Sequence, residues 1–175
     1  MWSKRIEEAN CCREEDVKMS GILGVPPVLA MAGDVFAELV KLGHGDEIVL
    51  ADKGFPAAGR CKGGKVIYLN SASVAELLQA LLIFKRLNPL RYGEGSVFAM
   101  AVDKCDFEAF EPGHKELMGV YQELINGRLD ADPSGPAEIV MMPRPRFYER
   151  AAEASLVIQT QDPAPYANLI ISLAG

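Results

Sequence analysis

A histidine between two glycines is the first place to look for chemistry in this chain. His44 stands in Gly43-His44-Gly45, just ahead of the apolar run Ile48-Val49-Leu50-Ala51, which Asp52 closes. An imidazole titrates near neutrality and can give or take a proton at pH 7. In open α/β sheets, ligands bind beyond the carboxyl ends of the strands. Asp52 falls at such an end; His44 falls at the other. The segment between them spans roughly 25 Å if fully extended. A site using both residues therefore needs the chain to bend, or needs to be shared between subunits. A lone histidine between glycines is equally compatible with a surface turn or a capping role.

Two further groups of residues carry polar chemistry. Arg144-Pro145-Arg146-Phe147-Tyr148-Glu149-Arg150 follows the apolar run Ile139–Met142 and leads into a helical pattern. Arg144, at the carboxyl end of that run, can donate several hydrogen bonds to hydroxyl groups. Arg146, Glu149 and Arg150 read as solvated or paired helix residues, and Tyr148 is open. Pro165-Tyr166-Ala167-Asn168 precedes the last apolar run. Its phenol and amide suit a polyol, and a tyrosine ring can pack on a sugar face; a turn holding a core tyrosine would have the same sequence.

Other chemistries find no motif. His44, Asp46, Asp52 and His114 match no metal-ligand spacing, and the chain has two histidines. Gly43-x-Gly45 is too short for a dinucleotide loop. Lys62-Gly63-Gly64-Lys65 lacks the length and hydroxyl residue of a P-loop and reads as a turn. No GxSxG elbow occurs. Of the four cysteines, Cys11, Cys12, Cys61 and Cys105, none forms a CxxC pair. A cytoplasmic chain with free thiols is the expectation.

The elements that would position these residues alternate. Helical spacing covers Gly33–Leu42, a Ser73/Glu76 capping box opens a helix to about Lys85, and further helices cover His114–Ile125 and Phe147–Ala154. Strands are expected at 48–51, 66–69, 97–102, 139–142, 156–159 and 169–173. Strands alternating with helices predict a mainly parallel sheet with helices on both faces, a three-layer αβα domain. Residues 1–19 are charged and patternless, end at a second methionine, Met19, and read as an N-terminal extension. Residues 20–175 then form one domain, as the length of 175 residues favours. A net charge of −6 gives no basic footprint, so neither nucleic acid nor an anionic membrane surface is an expected partner. No apolar run is long enough to span a bilayer, and the N-terminus lacks the apolar region of a secretory signal.

Taken together, three segments resemble the ribose pyranase/L-fucose mutarotase family. Gly43 to Asp52 followed by Phe55-Pro56-Ala57 is similar to its N-terminal signature, with Gly24-Val25-Pro26-Pro27-Val28-Leu29 fitting the start. Arg144-x-x-Phe147-Tyr148-Glu149-Arg150 resembles the L-fucose mutarotase branch, and Tyr166-Ala167-Asn168 resembles the C-terminal sugar-binding signature. The resemblance runs from about residue 22 to 171. It implies a mutarotase that opens and recloses the ring of a free monosaccharide, with no cofactor and no metal. His44 would be the catalytic acid/base. Asp52, Arg144, Tyr166 and Asn168 would hold the sugar, with Ala167 contributing backbone. It also implies a homo-oligomer, commonly a decamer, with sites at subunit contacts. Departures from the family pattern lie at Thr160-Gln161-Asp162, Pro163, Pro165, Lys53-Gly54 and the C-terminal tail, and bear on which sugar is taken. The alternatives are a ribose pyranase and a sugar-binding protein without catalysis.

Overall fold

The computed structural model describes residues 33–88, 95–129 and 137–174. The extension 1–19, Met19, Cys11, Cys12 and the 24–29 segment lie outside the described residues. So does most of the loop near 86–95 and of the loop near 128–136. Within them the order is α1 (Gly33–Leu39), β1 (Glu47–Ala51), α2 (Ala57–Arg60), β2 (Lys65–Leu69), α3 (Val74–Phe84) and β3 (Val97–Met100). α4 (Phe107–Leu129), β4 (Ile139–Met142), α5 (Arg144–Ala151), β5 (Leu156–Thr160) and β6 (Leu169–Ser172) follow.

The strands form one six-stranded sheet in the order β2-β5-β1-β6-β3-β4. β1 and β2 each pair with β5 in parallel, and β3 pairs with β4 in parallel. Only β6 runs antiparallel, to β1 on one side and β3 on the other. That reversal decides where the chemistry goes: the amino end of β6 lies at the same rim as the carboxyl ends of its neighbours.

Side-chain alternation along β1 splits the interior into two cores. Ile48 and Leu50 pack with α1, α3 and α4, through Val35, Leu78, Tyr121 and Ile125. Val49 and Ala51 pack on the other face with Phe55, Ala57, Phe147 and Ala151 of the α2 and α5 segments. The expected three-layer αβα domain with a mainly parallel sheet is what forms. Every residue of β1 is buried, as a central strand covered on both faces must be.

Two helix starts differ from the sequence expectation, both because of prolines. α4 begins at Phe107, seven residues before His114, and carries Pro112 within it. α5 begins at Arg144, with Pro143 as its cap residue and Pro145 in the first turn. Pro145, in the first turn of α5, gives up an N–H that has no helical partner anyway, whereas Pro112 lies inside α4 and costs that helix one hydrogen bond. The short α2 was not expected. Ser73 and Glu76 do form the reciprocal capping box of α3.

His114 is a correction. It is not at a helix start but inside α4, buried at 5% exposure, with Nε2 3.0 Å from the Met100 carbonyl oxygen. Burial holds its imidazole below the ordinary histidine pKa, which favours the neutral ring.

Candidate active site

The rim at the carboxyl ends of β1, β3, β4 and β5 and the amino end of β6 encloses a cleft of about 300 Å³. Asp52, Phe55, Met100, Arg144, Tyr166 and Asn168 are among the residues that line it. Four residues expected to hold a ligand therefore converge on one cleft, from three segments of which the first and last are more than a hundred positions apart in the chain.

Asp52 and Asn168 are locked to each other. The Asp52 backbone N–H donates to Asn168 Oδ1 at 2.9 Å, and Asn168 Nδ2 donates to Asp52 Oδ2 at 2.8 Å. Both residues are buried. Asp52 Oδ1 accepts from the Gly54 N–H at 2.8 Å. Burial pushes the Asp52 carboxyl above its ordinary value against these hydrogen bonds, which pull it down. The turn that follows is clamped by Gln159, whose Nε2 donates to the Lys53 carbonyl at 3.1 Å and the Phe55 carbonyl at 2.7 Å. Asp162, also buried, takes the first N–H of α3, from Val74, at 3.0 Å and the Ala164 N–H at 2.9 Å. In the departure Thr160-Gln161-Asp162, Asp162 thus ties the loop before Tyr166 to a helix start, where a negative charge is favoured.

Tyr166 adopts a left-handed backbone, with φ at 63°. For a bulky residue this costs on the order of 1–3 kcal/mol and persists only where the surroundings enforce it. Here the ring is gripped from several sides. Phe110 lies 6.1 Å and His114 6.3 Å from it, centroid to centroid, and the Arg144 guanidinium carbon 5.0 Å from its centre. Its hydroxyl accepts from Arg144 Nη2 and donates to Asp106 Oδ2. The next residue, Ala167, is buried, and its carbonyl accepts the Tyr121 hydroxyl at 3.4 Å.

Arg144 is pinned at two further points. Its Nε is 3.0 Å from Asp103 Oδ2 and its Nη2 3.2 Å from Asp106 Oδ2. A guanidinium has five N–H donors, so these bonds fix its plane and leave donors for a ligand. Asp103 and Asp106 escaped the sequence reading. The signal was present: both follow β3 directly at its carboxyl end, and Asp106 immediately precedes α4. With Cys105 they bring three possible metal-ligand atoms within 4.8 Å of one another, but both carboxylates are already engaged by Arg144.

The other residues of the arginine-rich segment behave as expected. Arg150 pairs with buried Glu47 at 2.7 Å and lies over Phe98, and it does not line the cleft. Arg146 and Glu149 are exposed. Tyr148, left open by the sequence, lines the cleft and also a neighbouring one of about 650 Å³ that includes Arg60 and Lys62.

His44 is not in this cleft. It lies in an exposed turn at the amino end of β1. That turn is anchored at the opposite rim: the Gly45 N–H donates to the Leu173 carbonyl at 3.0 Å, and Ser155 Oγ donates to Asp46 Oδ1 at 2.8 Å. Gly45 has φ of 85°, a conformation glycine adopts without strain. β1 alone, five residues long, separates the two rims by about 16 Å.

Residues 29–174 match the RbsD / FucU transport protein family. The chain belongs to this family. A fucose mutarotase from Danio rerio is 35% identical over 149 residues, which cover 85% of this chain and 90% of that protein. The crystal structure of the fucose mutarotase in complex with L-fucose from Streptococcus pneumoniae superposes with a TM-score of 0.69 at 28% identity, covering 86% of this chain and 96% of that one. Bacillus subtilis RbsD complexed with D-ribose shares the fold at 23% identity, with a TM-score of 0.60 and coverage of 81% and 92%. Among the described residues no helix is long and apolar enough to cross a membrane.

Proposed function

We propose that this chain is a cytoplasmic mutarotase for a free monosaccharide, with L-fucose or a closely related pyranose as substrate. The convergence of Asp52, Arg144, Tyr166 and Asn168 on one rim cleft carries this reading, and the fucose mutarotases among its relatives support the choice of sugar. A cyclic sugar is a hemiacetal. Opening it removes the anomeric hydroxyl proton and protonates the ring oxygen; the carbonyl then rotates and the ring closes on its other face. Well-placed donors and acceptors and one group of near-neutral pKa are enough, with no metal or redox cofactor. Asp52 and Asn168 accept and donate to sugar hydroxyls, and Arg144 adds charged N–H donors. His44 protonates the ring oxygen.

Because His44 and the cleft occupy opposite rims of one chain, the acid/base comes from a second copy. The assembly is a homo-oligomer larger than a dimer, and the family resemblance makes a decamer the expected form. Light scattering should show it at micromolar protein, and a monomer there would end this part of the proposal. Subunit sharing has a sharper consequence. His44→Gln and Arg144→Met chains, each inactive alone, should regain anomer exchange when refolded together, because mixed assemblies rebuild intact sites. No recovery in demonstrably mixed assemblies would place both residues' roles within a single chain.

Saturation-difference NMR with a panel of free sugars tests the binding reading. L-fucose should give signals that Asn168→Ala removes. Signals from D-ribose and none from L-fucose would move the protein to the ribose branch. Binding of L-fucose without anomer exchange would make it a sugar-binding protein.

A further inference from the structure

We propose that Asp106 is the positioning residue that receives, through the Tyr166 hydroxyl, the proton leaving the anomeric oxygen. This deepens the mutarotase reading and rests on it. Asp106 ends the loop after β3, and its carbonyl accepts the Phe110 N–H at 3.1 Å, the first turn of α4. Asp106 is thereby fixed by its backbone at a helix start, just before α4. Its Oδ2 meets both the Tyr166 hydroxyl and Arg144 Nη2. The Tyr166 proton therefore points at Asp106, away from a ligand. What Tyr166 offers the cleft is an oxygen lone pair, so it acts on a sugar as an acceptor.

The step then balances. The anomeric O–H bond breaks and its proton joins the Tyr166 oxygen, while the phenolic proton passes to Asp106. The bond between the anomeric carbon and the ring oxygen breaks, and its electron pair stays on the ring oxygen, which takes the proton of the His44 imidazolium. The anomeric oxygen becomes the carbonyl. An Asp106 carboxylate and a histidinium become a carboxylic acid and a neutral imidazole, and ring closure runs the same transfers backwards. Arg144 steadies the oxygen as its proton changes. The strained backbone at Tyr166 has a use in this account: it puts the phenol where cleft and carboxylate are both in reach.

Asp106→Asn separates this role from a structural one. The amide oxygen still accepts the Tyr166 hydroxyl but cannot take a proton at neutral pH. The expected result is an exchange rate down roughly 10²-fold with KM changed little, partial rescue by Asp106→Glu, and no further loss when Tyr166→Phe is added. Native exchange in Asp106→Asn overturns the proposal while leaving the mutarotase reading intact. A wild-type chain that exchanges no sugar in the panel overturns both. A second measurement needs no Asp106 variant. The ultraviolet titration of wild type minus Tyr166→Phe isolates this phenol, which faces Asp106 and Asp103 from the β3–α4 loop, His114 from α4 and Arg144 from α5. Burial and its hydrogen bond to Asp106 raise its pKa, outweighing Arg144. Ionisation above an ordinary tyrosine supports the relay, and ionisation at or below it contradicts the relay.

Discussion

His44→Gln should lower the anomer exchange rate by roughly 10²–10⁴-fold, the usual contribution of a positioned general acid or base, and should weaken sugar affinity far less. The affinity survives because Asp52, Arg144, Tyr166 and Asn168 are built into the opposite rim. The turn itself should survive too, since its anchors are the Gly45 N–H on Leu173 and the Asp46 carboxylate on Ser155. Exchange NMR beside calorimetry reads the two effects apart. A variant that exchanges at the native rate would reduce His44 to a turn residue and require another acid.

Asn168→Ala is the second large effect, and it should reach stability as well as activity. The substitution strips a buried acceptor from the Asp52 N–H and a donor from its carboxylate. Leaving such buried groups unmet costs about 1–3 kcal/mol each. The deficit should depend on pH with a definite sign. Burial raises the Asp52 carboxyl in the folded chain, so the fold holds that proton more tightly than the unfolded chain does. Stability from this group is full below the ordinary carboxylate pKa of about 4 and is lost as pH rises through the folded value. Removing the Asn168 donor pushes the folded value higher still. Urea denaturation should therefore show a larger gap between variant and wild type at pH 7 than at pH 4. An equal gap at both would mean that the amide does not stabilise the ionised carboxylate.

How much of this was legible in the sequence follows from what each signal depends on. The strands were readable to within two residues, because each is a run of four or five mostly apolar residues between polar ones, in the partly exposed β2 and β4 as in the buried strands. α3 was readable from Ser73 and Glu76, since a capping box is local. The starts of α4 and α5 were not, because a proline reads as a breaker: Pro145 is harmless in the first turn of α5, while Pro112 sits inside α4 at the loss of one helical hydrogen bond. The antiparallel course of β6 was not legible either. Antiparallel and parallel central strands are equally apolar, and only the pairing with β1 and β3 distinguishes them.

The site divides the same way. Asp52, Arg144, Tyr166 and Asn168 each stand out in the sequence by position next to a strand end, and the reversal of β6 brings the last two to the rim of the first two. His114 was misplaced because a histidine after Pro-Gly resembles a helix start, whereas its partner, the Met100 carbonyl, is fourteen positions away. Asp106 shows in the sequence only as an aspartate between a strand and a helix, which is a position and not a motif. Its significance lies in the Tyr166 hydroxyl sixty positions on, a distance that no local pattern spans.

The central claim is that this chain opens and closes sugar rings, and two-dimensional exchange NMR on L-fucose at equilibrium measures that event directly. The prediction is a set of cross-peaks between the α and β anomeric protons whose rate rises in proportion to added wild-type protein and falls to the buffer rate with His44→Gln. Cross-peaks that stay at the buffer rate however much folded protein is added would contradict it.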